Sequence, residues 1–135
     1  RIVMEASTAG LREIPQMQDW MQTIERGRQL LRKLLSNTKK HIVVVCEEDT
    51  KKDEEIGRIL VGPAMPGKLF HEAGALFDCV FPLRSGLKPG SPEKIQVVLT
   101  KPEGLYQQAK CRYKGLDKTE PNDFEVIWAK LNAVK

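Results

Sequence analysis

The run His41-Ile42-Val43-Val44-Val45-Cys46 limits the fold of this chain more than any other feature of the sequence. A strand with one wet face alternates polar and apolar residues, and this run does not. The pattern predicts a strand buried on both faces, as in a parallel sheet with helices on each side. The run stops at Glu47-Glu48-Asp49 and is followed by Thr50-Lys51-Lys52-Asp53-Glu54-Glu55, a charged stretch with nothing to bury. That stretch reads as a mobile loop at the carboxyl edge of the sheet, where open α/β folds bind ligands.

From Pro15 to Ser36, Met17, Trp20, Met21, Ile24, Leu31, Leu34 and Leu35 recur at three- and four-residue steps, which predicts an amphipathic helix with Pro15 at its first position. Gly27 lies on the apolar stripe, where close approach to a sheet would account for it. Further strands are expected at Arg58–Val61, Asp78–Leu83, Ile95–Thr100 and Gln107–Tyr113, with the last two as antiparallel neighbours, and a helix at Lys68–Leu76. Gly86–Pro92 reads as a connector. Asn122 followed by Glu125 fits an N-cap with its capping box, ahead of a helical face of Phe124, Ile127, Trp128 and Leu131.

With 135 residues and 41% hydrophobic content, one α/β domain spanning 1–135 is the expectation. The chain starts at Arg1 and its earliest methionine is Met4, which leaves open both a piece of a longer protein and a complete one. No apolar run approaches the roughly 18 residues of a membrane span, and the N-terminus lacks the order of a signal peptide; both lead to the expectation of a cytoplasmic chain. Cys46, Cys79 and Cys111 are odd in number and widely spaced, which suits reduced, buried thiols better than a disulfide framework or zinc site, and no metal is expected. A formal charge of +4 is compatible with a phosphate-rich partner but is no dense basic stripe.

Gly62-Pro63-Ala64-Met65-Pro66-Gly67-Lys68-Leu69 satisfies the spacing G-x-x-x-x-G-K of a phosphate loop. Its chemistry opposes that function. A phosphate loop works through successive backbone N–H donors, which Pro63 and Pro66 lack, and Leu69 stands where a magnesium-binding hydroxyl belongs. The segment reads either as a proline-stiffened turn or as one that keeps Lys68 as a single phosphate-facing cation. Residues 1–14 supply no apolar strand ending in a carboxylate, so a triphosphate cradle would have to lie upstream of Arg1.

The order of the long helix, the 41–46 strand, the charged loop, Met65-Pro66-Gly67-Lys68, Leu76-Phe77-Asp78-Cys79-Val80 and Lys110-Cys111-Arg112-Tyr113 resembles the C-terminal half of phage RecA-like nucleotide-binding proteins. These form an AAA-type family linked to single-strand annealing and recombination, and the order resembles RadA more distantly. The resemblance covers about residues 11 to 118 and implies a partial RecA-like P-loop ATPase core, a mixed sheet flanked by helices.

In such a core Glu47 or Glu48 would sense the γ-phosphate or its water, the alternative being that they end the strand in solvent. The resemblance sets Asp49–Gly57 where RecA-like proteins carry a DNA-binding loop, with Lys51, Lys52 and Arg58 as its cations. Lys110-Cys111-Arg112-Tyr113-Lys114-Gly115 resembles a lysine-x-arginine-aromatic motif whose cations reach the nucleotide of a neighbouring subunit. A fixed cation there stabilises charge on a transferring phosphoryl group. Strand alternation would put Lys110, Arg112 and Lys114 on one face; the alternative is an edge strand with a solvated basic face.

The resemblance therefore implies a homo-oligomeric parent that uses ATP and magnesium on DNA, single-stranded DNA included, with this chain catalytically silent alone. The competing readings are a non-catalytic nucleic-acid-binding module and a viral assembly module.

Overall fold

A computed structural model of the chain describes residues 16–37, 39–88 and 90–133. Its elements are α1 (Met17–Leu35), β1 (Glu48–Asp53), β2 (Arg58–Pro63), α2 (Leu69–Leu76), β3 (Cys79–Val80), β4 (Leu83–Leu87), β5 (Lys94–Leu99), β6 (Lys110–Cys111), β7 (Thr119–Pro121) and α3 (Phe124–Ala133). Among the described residues this is a mixed α/β chain of three helices with small sheets, whose registered pairs are all antiparallel. Two units divide it. The first takes 1–49 and 63–76, the second 50–62 and 77–135.

In the first unit, α1 begins at the Gln16 cap. The Gln16 N–H donates to Asp19 Oδ2 at 2.7 Å, and the Thr23 hydroxyl donates to the Asp19 carbonyl at 2.8 Å. Pro15, expected at the helix start, lies outside the described residues. Helix α1 packs on α2, and Gly27 is the contact point: a Cβ there would lie 2.9 Å from Leu69 Cδ1. The close approach is thus to a helix, where the sequence suggested a sheet. Across the two helices Arg28 Nη2 donates to Glu72 Oε2 at 2.8 Å, which raises the arginine pKa further. Leu31, Leu69, Phe70 and Ala73 are buried, while Met17, Trp20, Met21 and Leu34 stay exposed. Helix α2, two turns long, covers only part of the stripe that periodicity defines.

The run 41–46 departs most from expectation. Residues 41–47 form irregular backbone outside every sheet among the described residues, and Val43 and Val45 are 72% and 90% exposed. β-Branched residues favour a pleated, half-buried surface only where a neighbouring strand provides one. Fully buried consecutive apolar residues are found instead in β5, at Val97, Val98 and Leu99.

The charged stretch after the run is ordered as a hairpin, not a loop: β1 and β2 pair across 54–57. Asp53 Oδ1 accepts the N–H groups of Glu55 and Ile56 at 3.0 and 3.3 Å, and Gly57 takes the left-handed conformation that the turn requires.

In the second unit, β5 is central, between β4 and β7. Leu83 to Leu87 pair with Val98 to Lys94, and Val97 to Leu99 with Pro121 to Thr119. The segment expected as one strand, 78–83, breaks into β3 and β4, and β4 runs into the expected connector. Only Lys110–Cys111 of 107–113 is strand. It pairs with β3, so β5 and β6 are not the neighbours anticipated. Val61, Ala109 and Ile127 complete the buried apolar set. The cap of α3 is Asp123, one residue later than read: its Oδ1 accepts from Glu125 N at 2.9 Å. At the base of α3, Glu120 is 1% exposed. Its carboxylate accepts the Asp117 N–H at 2.7 Å and Lys130 Nζ at 2.8 Å, which raises the lysine pKa.

Candidate functional site

Where β5 ends and β6 exits, the second unit holds a cavity of 280 Å³ lined by Thr100, Lys101, Cys111, Arg112, Tyr113, Lys114, Gly115 and Leu116. Three of these eight residues are cations and none is an acid. The rim is built on fixed groups. Thr100 is buried, and its hydroxyl donates to the Asp117 carbonyl at 2.5 Å while its N–H donates to the Lys118 carbonyl at 3.0 Å. These bonds hold the end of β5, and with it Lys101, against the loop that follows Gly115.

On the other side the anchor is Asp78. Its carbonyl accepts the Arg112 N–H at 2.9 Å, Oδ1 pairs with Arg112 Nη1 at 2.8 Å and Oδ2 accepts from the Tyr113 hydroxyl at 3.2 Å. The Asp78 hydrogen bond also raises the Tyr113 pKa, because the phenolate would face a carboxylate. Arg112 keeps 68% of its side chain exposed despite the pair, and Tyr113 is 53% exposed. The result is a positively charged, partly open concavity with an exposed ring on its lip.

Arg112 and Lys114, singled out in the sequence, come together here. Lys110 does not: it lies half-buried opposite Val80 in β6, outside the lining. The alternation that would have aligned the three cations fails because β6 is two residues long. Lys101 and Asp78 were missed in the sequence. Lys101 had a signal, as the first residue beyond the expected strand Ile95–Thr100.

The other anticipated positions are not among the residues that line this cavity. Glu47 is exposed on irregular backbone, where its carbonyl accepts the Ala64 N–H at 2.8 Å, and Glu48 is exposed at the start of β1. Neither ends the strand expected before them. Lys51 and Lys52 are strand residues of the hairpin, and Arg58 is exposed at the start of β2.

Lys68 is exposed in the turn before α2, where its carbonyl accepts the His71 and Glu72 N–H groups, each at 3.0 Å. This segment does not fit a triphosphate cradle. The Met65 N–H donates to the Pro63 carbonyl and the Leu69 N–H to the Pro66 carbonyl, and Ala64 is engaged with Glu47. Gly67, at φ 54°, faces Ile24, whose Cδ1 would lie 2.6 Å from a Cβ. Its conformation serves packing against α1.

Among the described residues no group of three or more His, Cys, Asp or Glu side chains is placed to hold a metal ion, and no helix is long and apolar enough to cross a membrane. Of the thiols, Cys46 is exposed, contrary to expectation, while Cys79 and Cys111 are half-buried. Comparisons of the chain with protein families, curated proteins and solved structures find no match.

Proposed function

We propose that the cavity beside Arg112 and Lys114 is a phosphate-binding site, and that the chain is the C-terminal part of a RecA-like ATP-binding protein acting on DNA. On this reading the cations serve a triphosphate held by a neighbouring copy in a homo-oligomer. The observation that carries the reading is the lining itself: Lys101, Arg112 and Lys114 around one concavity without an acid among them. Guanidinium and ammonium groups at a partly enclosed site favour a polyanion, and a charge-assisted hydrogen bond contributes about 1.5–3 kcal/mol.

Arg112 has the geometry for a cation supplied in trans, being exposed yet oriented by Asp78. ATP with magnesium suits the charge of the site. When bound it supplies the phosphoryl group, while this chain's residues orient and neutralise phosphate oxygens. The 62–69 segment offers no cradle, so the chain alone is expected to bind polyphosphate without hydrolysing ATP.

Calorimetric titration with pyrophosphate tests this. Binding should weaken with salt, and Arg112→Ala should weaken it about tenfold, the equivalent of roughly 1.4 kcal/mol. Binding that is indifferent to Arg112 and Lys114 would refute the site.

A second reading has support in Tyr113, an exposed ring between Arg112 and Lys114. Bases of single-stranded nucleic acid stack on such rings while cations track the backbone, each stack contributing about 1–3 kcal/mol. On that reading the chain is a non-catalytic nucleic-acid-binding module. Tyr113→Ala would then weaken single-stranded DNA binding and leave pyrophosphate binding unchanged. Equal effects on both ligands would remove it.

A further inference from the structure

Cys79 and Cys111 face each other across the β3–β6 pair, with their sulfurs 3.1 Å apart. The ladder bond from Arg112 N–H to the Asp78 carbonyl, 2.9 Å long, flanks this pair on one side. That bond makes Cys79–Cys111 a non-hydrogen-bonded pair, in which opposed Cα atoms lie about 4.5 Å apart and side chains come closest. A disulfide needs Cα atoms about 4.4–6.8 Å apart and sulfurs at about 2.05 Å. Rotation about χ1 closes the remaining gap while the backbone stays in register.

We propose that Cys79 and Cys111 form a reversible cross-strand disulfide, with Cys111 as the sulfur that meets the oxidant and Cys79 as the resolving thiol. Access decides the order. Cys111 lines the cavity, open to solvent and bordered by Lys101, Arg112 and Lys114, which favour an anionic small disulfide. Cys79 is not among the lining residues. Burial, then its hydrogen bond with Cys111, pushes the Cys79 thiol up to about 12, so its proton is held more tightly than that of an ordinary thiol.

The exchange is balanced. Cys111 gives its proton to solvent as its sulfur attacks one sulfur of a low-molecular-weight disulfide, RSSR, and displaces RS⁻, which takes up a proton. Cys79 then gives its proton to solvent, its sulfur attacks Cys111 Sγ, and the second RS⁻ leaves and is protonated. Two cysteine thiols are oxidised to one disulfide, and one RSSR is reduced to two RSH. The inference does not depend on what the cavity binds.

The test is incubation of the reduced full chain with glutathione disulfide, followed by intact mass and non-reducing peptide mapping. The expected product has lost two hydrogen atoms and contains a Cys79–Cys111 linked peptide, and excess reduced glutathione restores the thiols. Cys79→Ser should arrest at a glutathione adduct on Cys111, with circular dichroism confirming that the variant is folded. The wild-type map needs no variant to be decisive. If Cys79 and Cys111 stay as thiols while Cys46 takes the glutathione, or if Cys46 pairs with either, the proposal is wrong.

Discussion

Asp78 holds Arg112 by both chain and side chain: its carbonyl takes the arginine N–H at 2.9 Å and its Oδ1 takes the guanidinium at 2.8 Å. The first contact fixes where the residue leaves β6. The second competes with any anion that enters the cavity.

Asp78→Asn separates these roles. It keeps the backbone bond and removes the charge that holds the guanidinium, so pyrophosphate should bind several-fold more tightly, by calorimetry. Because both side chains are about half exposed or more, the thermal midpoint should hardly move.

Gly67→Ala tests whether 62–69 is a turn or a cradle. The substitution forces a side chain into the left-handed region at φ 54° and toward Ile24 Cδ1, so stability should fall by about 1–2 kcal/mol in denaturant unfolding. Lys68→Ala, at an exposed turn position, should change neither stability nor pyrophosphate affinity.

Val45→Ser should alter stability by less than about 0.5 kcal/mol, the usual range for an exposed position. Val98→Ala, in the buried centre of β5, should cost on the order of 2 kcal/mol. The two valines sit in similar apolar runs, and that similarity marks the limit of what the sequence reveals.

Local periodicity was legible: α1 and α2 are found within two residues of their expected bounds, and α3 contains Phe124, Ile127, Trp128 and Leu131 of the expected face, because helices close their hydrogen bonds locally. Strand partners were not legible. Val43–Val45 and Val97–Leu99 differ in whether a ladder exists on each side, which depends on residues far along the chain. The same cause hid half of the site. Arg112 and Lys114 stood out as a motif, but Lys101 joins them only because β5 ends beside the exit of β6.

Glu103 predicts an acid limb of stability. Lys118 Nζ at 3.2 Å and Arg84 Nη2 at 2.9 Å hold its carboxyl below the ordinary 4.5, the Lys118 hydrogen bond contributing most. A group with a depressed folded pKa stabilises above its unfolded value, and that contribution is lost as pH falls through the folded one. The urea midpoint should therefore fall below pH 4.5, and Glu103→Gln should flatten that fall while lowering the midpoint at neutral pH.

The location of the phosphate site is most directly tested by amide chemical shifts in a pyrophosphate titration of the isotopically labelled chain. Saturable shifts concentrated at Lys101 and 111–116, with Arg112→Ala needing about tenfold more pyrophosphate to reach saturation, are the predicted result. Shifts concentrated at 64–69, with 111–116 unmoved, would contradict the assignment.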